Sequence, residues 1–593
     1  MLKRTILLLL AAAMLLTMPV CAADSASGTM LTMGHTVVAP GFDVYSRVYA
    51  MDEETMQAGY SIELQPDSEV YPIVLACDTM YGGMTLEEIT AYAQGLGYNV
   101  AAAVNTAFFT SPGIPIGIAV EQGVLRSAAD GLNAFAILAD GSYYTAHEPK
   151  VRFALSSDAW GEESMELQYL NKGMEYEDIY MYTSEFSTVS TRVWENVWAV
   201  RLKITEGELS LSGSLTMEVT EVIRSATAVP IGEGNMILTA KKKGAYGDAF
   251  SKFKVGDVLT LDTLCEDEVL VSAPYITGCG DILVENGQMT DSAGWSPFVE
   301  GSHPRTMMGW RADGTLVMYV ADGRSPGYAS GLTQQQAAEE MLRQGCVTAV
   351  NMDGGGSSVV GVRMPGSDSI EPLNRPSDGK PRQCAAYMLL VTDAAPDGEG
   401  VNLHLRENNS YVLPNQRLQL HVFATDRALY PGVTDTTAVR YSADGESFTD
   451  GVYTATHRAG VHKITMETDT AAGVGEVRVV CQPTDLTVTM ADGTPLGDMT
   501  VYNGQRLALD IRASHYGKEI LADETCVGYS SSIYLGAPDA DGVFTIDALP
   551  GSWGLLTMEI GDRSYTIRLR VERSLRDISD FRCKTALDFY KAG

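Results

Sequence analysis

The chain has 593 residues, 45% of them apolar, so most of it can fold, and at ~100–200 residues per domain it holds three or four domains. Against 42 basic side chains stand 75 acidic ones, a formal net charge of −33. That balance excludes nucleic acid as a partner, because phosphates would be repelled, and it fits an exported protein.

Residues 1–22 read as a secretory signal. Lys3 and Arg4 precede an apolar run from Ile6 to Leu16, and Val20-Cys21-Ala22 places small residues for cleavage after Ala22. The run is too short for the ~20 residues of a membrane span, and no later apolar run is long enough for a transmembrane anchor. The other cysteines (Cys77, Cys265, Cys279, Cys346, Cys384, Cys481, Cys526 and Cys583) contain no CxxC pair, so no metal-ligand spacing is present. Most are expected to act as small buried hydrophobes.

From 23 to 394 the pattern mixes strands and helices, which predicts an α/β (mixed α+β) catalytic domain with its core at 95–392. Thr85 and Glu88 form a capping box ahead of Leu86, Ile89, Ala93 and Leu96 at helical spacing, and Gly97 can end that helix. A strand from Val100 to Val104 then runs into Asn105. The design recurs: Thr333 and Gln336 cap a second helix, Gly345 ends it, and Val347–Val350 leads into Asn351. α/β architectures place their chemistry at such strand ends.

After the polar linker Thr392 to Gly400 ("TDAAPDGEG"), helix signals nearly vanish. A repeat of about 90 residues appears: "NQRLQLHV" (Asn415 to Val422) matches "GQRLALDI" (Gly504 to Ile511), and "DGVYT" (Asp450 to Thr454) matches "DGVFT" (Asp541 to Thr545). This predicts two all-β immunoglobulin-like sandwich modules, 400–482 and 483–573, acting as spacers or carbohydrate contacts. The tail, 574–593, resembles the start of a surface-layer-homology repeat, which implies association with a cell wall.

The chemistry concentrates in "AVNMDGGGSSVV" (Ala349 to Val360). Buried strands on both sides argue against a linker, and the absence of GxxxxGK[ST] argues against a nucleotide loop. A tight turn remains, in which Gly354, Gly355 and Gly356 let backbone N–H groups converge on an anion, Ser357 and Ser358 add hydroxyl donors, and Asp353 stands at the lip. A purely structural glycine hairpin is the bland alternative. Arg305, with Thr306 beside it, and Arg324, with Asp322 two residues before it, also fall at strand ends. Arginine suits planar recognition of phosphate. His303 reads as structural.

The run "HPRTMMG…DGTLVMYVADGR…GLTQQQAAEEMLRQGCVTAVNMDGGGSS" resembles the phosphodiester glycosidase family, as do "VNTAFFTSPGIPIG" (Val104 to Gly117), "GCGDILVENGQ" (Gly278 to Gln288) and "NRPSDGKPRQCAAYMLLV" (Asn374 to Val391). Thr106-Ala107 departs from the family's Gly-Gly after the asparagine, so two β-carbons could intrude on a ligand there. The resemblance implies hydrolysis of a sugar-1-phosphodiester to free sugar and a phosphomonoester, on a phosphorylated glycan or wall polymer. A phosphate leaving group is weakly basic, so charge stabilisation matters more than the acid an ordinary glycosidase needs.

On that reading Asp353 activates water or stabilises an oxocarbenium-like centre. Asp322 is the second candidate, and Asp281 and Glu121 are more distant ones. Asn105 and Asn351 would bind sugar hydroxyls or orient water, while Arg305, Thr306, Arg324, the three glycines and the two serines would hold phosphate. Ser357 as nucleophile lacks a histidine to activate it. No cofactor is expected; a divalent cation between Asp353 and Asp322 is an outside alternative with no dedicated cage. The competing function is a non-catalytic glycan- or wall-polymer-binding surface protein that retains the pocket.

Overall fold

The computed structural model describes residues 28–573 apart from 53, 129–130, 297–300, 523, 533–537 and 540–542. The expected signal segment, the wall-association tail, Cys21 and Cys583 lie outside the described residues. Among those described, no helix is long and apolar enough to cross a membrane.

The described residues are almost all β, with 50% in strands and 8% in helices, which corrects the α/β expectation. Both capping boxes form as read. Thr85 accepts from the Glu88 N–H and donates its own N–H to Glu88 at the head of Leu86–Gly95, and Thr333 and Gln336 do the same for Gln334–Arg343. These helices are real, but the strands beside them pair antiparallel. A parallel sheet needs a crossover of a dozen or more residues between successive strands, usually helical. Each helix does carry such a crossover, from Val70–Ala76 to Asn99–Asn105 and from Leu316–Ala321 to Cys346–Asn351, but in both cases a strand antiparallel to the two lies between them, so the direct pairs are antiparallel.

The chain divides into two compact units, the first running to Asn402 and reclaiming Thr425–Val433, the second comprising Leu403–Ala424 and the rest. The first unit contains an eight-stranded sheet whose middle runs Met56–Leu64, Leu316–Ala321, Arg305–Arg311, Cys346–Asn351 and Ile282–Glu285. A five-stranded sheet places Asn99–Asn105 between Val360–Val362 and Ala386–Thr392. Another five-stranded sheet contains Asn133–Ile137 and Tyr275–Cys279. All three contribute to one core that includes Ile62, Val104, Phe135, Met318, Val350 and Met388. A further eight-stranded sheet, running from Val151–Ser156 to Val258–Cys265, has its own core around Phe153, Val200, Met217 and Leu261.

In the second unit the sequence repeat becomes a repeat of pairing. Arg417 and Leu418 lie opposite Thr454 and Tyr453, and Arg506 and Leu507 lie opposite Thr545 and Phe544. Leu418 and Leu507 enter separate apolar cores, one with Ile464 and Val477, the other with Met558 and Leu569. Matching sequence thus gives matching register, since a one-residue slip would turn each leucine to the opposite face.

Candidate active site

The glycine turn crosses from one sheet of the first unit to another. Cys346–Asn351 belongs to the eight-stranded sheet, and Val360–Val362 pairs with Asn99–Asn105 in the five-stranded one. Backbone bonds fix the crossing: Met352 donates to the Thr306 carbonyl (2.8 Å), Asp353 to Thr106 (2.8 Å) and Gly355 to Pro304 (2.9 Å).

Asn105 locks the same turn from below. Its amide nitrogen donates to the Asp353 carbonyl at 2.7 Å, and its amide oxygen accepts from the Val359 N–H and the Thr306 hydroxyl at 3.0 and 2.9 Å. Asn105 and Thr306 are fully buried. Their polar groups are therefore spent on holding the turn rather than on a sugar or phosphate.

The glycines are required by shape. Gly355 has φ +62, and its face lies against the Arg324 guanidinium, whose Nη2 would stand 3.2 Å from an added β-carbon. At Gly356 a β-carbon would fall 2.2 Å from Arg382 Nη2 and 2.6 Å from Asp378 Oδ1, so this pair, bridged at 2.7 Å, packs directly onto the turn. The expected ring of free N–H donors is only partly available. Residues 355–357 form a 3-10 turn, and the N–H groups of Gly355, Ser357 and Ser358 already donate to the carbonyls of Pro304, Gly354 and Gly355.

What the turn leaves open is a set of side chains. Asn351 Oδ1, Asp353 Oδ2, Ser357 Oγ and Ser358 Oγ are all buried without a hydrogen-bond partner. Each such atom costs about 1–3 kcal/mol, so four within one turn mark a place built for a ligand or for ordered water. Burial pushes the Asp353 carboxyl up to about 7. The Ser357 hydroxyl, close by but short of hydrogen-bond geometry, Arg382 and the Gly354 N–H offset that rise only in part.

Of the two arginines, Arg324 is exposed, adopts φ +57, and lies 3.2 Å from His303 Nδ1 through Nη2. Arg305 is buried and donates to the carbonyls of Leu332 and Gly301, each at 2.9 Å. Burial, with repulsion from Arg324, brings its guanidinium down to about 10, and Asp281 works against that fall. The two cations thus share one neighbourhood, with Arg324 the accessible one.

Asp322, the second carboxylate, is a buried clamp. Its oxygens accept from Asn374 Nδ2 (3.0 Å), the Arg375 N–H (2.9 Å) and the Tyr328 hydroxyl (3.2 Å). Asn374 in turn donates to the Ser358 carbonyl at 3.0 Å, so Asp322 holds the segment that closes over the turn. Asp281 accepts from the Ser296 N–H and from Gln334, and Glu121 pairs with Arg126 at 2.8 Å. Three of the roughly four acceptor positions of the Asp322 carboxylate are thus used within the protein, and among the described residues no cluster of three His, Cys, Asp or Glu could hold a metal ion.

Thr106 and Ala107 do not crowd the turn with side chains. The Thr106 hydroxyl meets that of Thr277 at 3.2 Å, and Ala107 enters an apolar cluster with Ile114 and Tyr180. Arg382, Asp378 and Asn374 are the residues that sequence reasoning passed over. All three lie in the quoted "NRPSDGKPRQ" segment, whose density of turn-forming and charged residues was the available signal.

Residues 213–392, which include the glycine turn and both arginines, match the family model for phosphodiester glycosidase. Over 97 residues the chain is 31% identical to N-acetylglucosamine-1-phosphodiester alpha-N-acetylglucosaminidase of Homo sapiens, covering 15% of this chain and 18% of that protein. Over another 97-residue alignment it is 38% identical to the SPbeta prophage-derived uncharacterized protein YomE of Bacillus subtilis (strain 168), covering 16% and 14%. The matched segments thus span less than a fifth of these curated relatives. Among solved structures, a hypothetical protein from Synechocystis aligns with TM-score 0.49 and 17% identity over 61% of this chain and 64% of its own. The zebrafish N-acetylglucosamine-1-phosphodiester alpha-N-acetylglucosaminidase catalytic domain aligns with TM-score 0.31 and 14% identity over 63% and 92%. The match begins at 213, later than the 95 expected, yet Asn105 is bonded into the matched turn.

Proposed function

We propose that the first unit is an exported hydrolase that cleaves the glycosidic bond of a sugar-1-phosphodiester, of the N-acetylglucosamine-1-phosphodiester kind. Water attacks the sugar C1, the C1–O bond breaks, and its electron pair leaves with the phosphate, giving free sugar and a phosphomonoester. Asp353 accepts the proton of the attacking water. Arg324 faces the departing phosphate, and Asn351, Ser357 and Ser358 bind sugar hydroxyls or phosphate oxygens.

The observation that carries this reading is the unpaired Asp353 Oδ2, on a carboxyl whose titration is moved to about 7, in a turn with three other buried, unpaired polar atoms. A base poised near neutral pH transfers protons most effectively. The phosphodiester glycosidase match over the same residues supports the reaction class, and the choice of sugar follows the name of the human relative.

The test is release of reducing sugar from methyl N-acetylglucosamine-1-phosphodiester by the full chain. The Asp353→Asn variant should lose about 10²–10⁴-fold in kcat. Equal turnover by the variant would remove Asp353 from the chemistry, and binding without turnover by the wild type would favour a non-catalytic glycan-binding protein.

A further inference from the structure

Away from the glycine turn, the face of the sheet that begins at Val151 carries two adjoining cavities. The larger measures about 950 Å³ and is walled by Tyr169 and Tyr176; the smaller measures about 260 Å³ and is walled by Tyr182, Thr191 and Trp194. Ile114 and Gly173 line both, so the two are parts of one groove.

Three features of this groove point to one chemistry. Each cavity has a strongly exposed aromatic side chain in its wall: Tyr176, 63% exposed, in the larger and Trp194, 72% exposed, in the smaller. Tyr176 stands on a ladder of rings, 6.1 Å from Tyr169, which stacks 4.6 Å from Tyr180. Tyr and Trp suit ligands with one apolar and one wet face. The wall of the smaller cavity includes Tyr182 and Thr191, both fully buried, and neither hydroxyl has a hydrogen-bond partner. Two orphaned hydroxyls in a cavity wall call for a ligand, or water, that can both donate and accept. Finally, basic and acidic side chains mix around the larger cavity, Lys150 and Arg152 beside Glu148 and Glu166. No single sign dominates, which disfavours a polyanion and suits a neutral, hydroxyl-rich molecule.

We propose that this groove is a saccharide-binding site, separate from the catalytic turn, in which sugar rings stack on Tyr176 and Trp194 and hydroxyls reach Tyr182 and Thr191. A pyranose presents an apolar C–H face and a hydroxyl rim, which matches an exposed ring and buried hydroxyls in one wall. The site does not depend on the phosphodiester reading; if that reading holds, the groove grips the glycan portion of a polymer whose phosphodiester is cut elsewhere.

The test is calorimetric titration of the full chain with chitohexaose, cellohexaose and mannohexaose. At least one should bind, and Trp194→Ala and Tyr176→Ala should each weaken it about tenfold or more. Both residues are surface-exposed, so these variants keep the fold, checked by an unchanged thermal midpoint. Tyr182→Phe and Thr191→Val should weaken binding severalfold with little change in shape. Asp353→Asn should bind as wild type, and Trp194→Ala should hydrolyse the methyl phosphodiester at the wild-type rate. No binding of any hexaose, or binding lost in Asp353→Asn and retained in Trp194→Ala and Tyr176→Ala, would overturn the proposal. The first result leaves the catalytic turn untouched, and the second moves glycan binding to it.

Discussion

The Asn105 side chain donates to the Asp353 carbonyl at 2.7 Å, joining residues 248 positions apart in sequence. One amide thereby ties the end of a strand in one sheet to the carboxylate-bearing turn that leaves another. Its oxygen is also used twice, by Val359 and Thr306. Asn105→Ala should leave these three partners unsatisfied and cost about 3 kcal/mol or more, at about 1–3 kcal/mol for each orphaned group. Denaturant midpoint and kcat should fall together, whereas loss of a substrate contact alone would raise KM and spare stability.

The pH profile follows from Asp353. A base held at about 7 is half ionised there, so kcat should rise with pH, bend near 7 and reach a plateau above it. Stability runs the other way. A carboxyl raised above its unfolded value favours folding fully below pH ~4, and that stability is lost as pH climbs through about 7. Asp353→Asn should therefore be more stable than wild type at pH 8, by a few kcal/mol at about 1.4 kcal/mol per pH unit of displacement. Chemical denaturation at pH 5 and pH 8 reads the crossover.

Arg324 lies against Gly355 and is exposed, whereas Arg305 is buried on carbonyl oxygens. Arg324→Ala should lower kcat/KM about 10–100-fold, as a charge-assisted hydrogen bond worth about 1.5–3 kcal/mol is lost, with the denaturant midpoint almost unchanged. Arg324→Lys should recover only part of the loss, since an ammonium lacks the planar fork. Arg305→Ala should instead destabilise the fold.

Asp322 holds Asn374, Arg375 and Tyr328 through both of its carboxylate oxygens. Asp322→Asn should reduce stability and activity in parallel and leave the pH midpoint of kcat where Asp353 puts it. A shifted midpoint would place Asp322 in the chemistry.

Gly356 meets Arg382 so closely that a β-carbon would overlap its guanidinium. Gly356→Ala should cost about 1–3 kcal/mol by overpacking. The far end of an arginine can move, so Arg382→Ala in the same chain should return part of that loss, seen as a coupling of at least about 0.5 kcal/mol in a double-mutant cycle.

Local signals in the sequence carried far. Thr85 and Thr333 marked two helices because a capping box needs only residues three apart, and Leu418 and Leu507 marked a repeat because register follows alternation. The α/β expectation failed because strand direction is set by partners distant in sequence; Met307 faces Asn351 antiparallel, and nothing near either residue says so. The site divided along the same line. Asp353, Ser357 and Ser358 were found from one turn, and the structure leaves them with unpaired atoms. Asn105, Thr306 and Asp322 have equally polar side chains, and only long-range geometry shows those chains already bonded within the protein. Arg382 was missed for the same reason, since its contact with Gly356 crosses from a separate segment.

The central claim is that water attacks carbon rather than phosphorus. The most direct measurement is hydrolysis of methyl N-acetylglucosamine-1-phosphodiester by the full chain in ¹⁸O-labelled water, with both products read by mass spectrometry. The account predicts label in the C1 hydroxyl of the freed sugar and none in the phosphomonoester, with turnover collapsing in Asp353→Asn. Label in the phosphate would contradict it, because the bond broken would then be P–O.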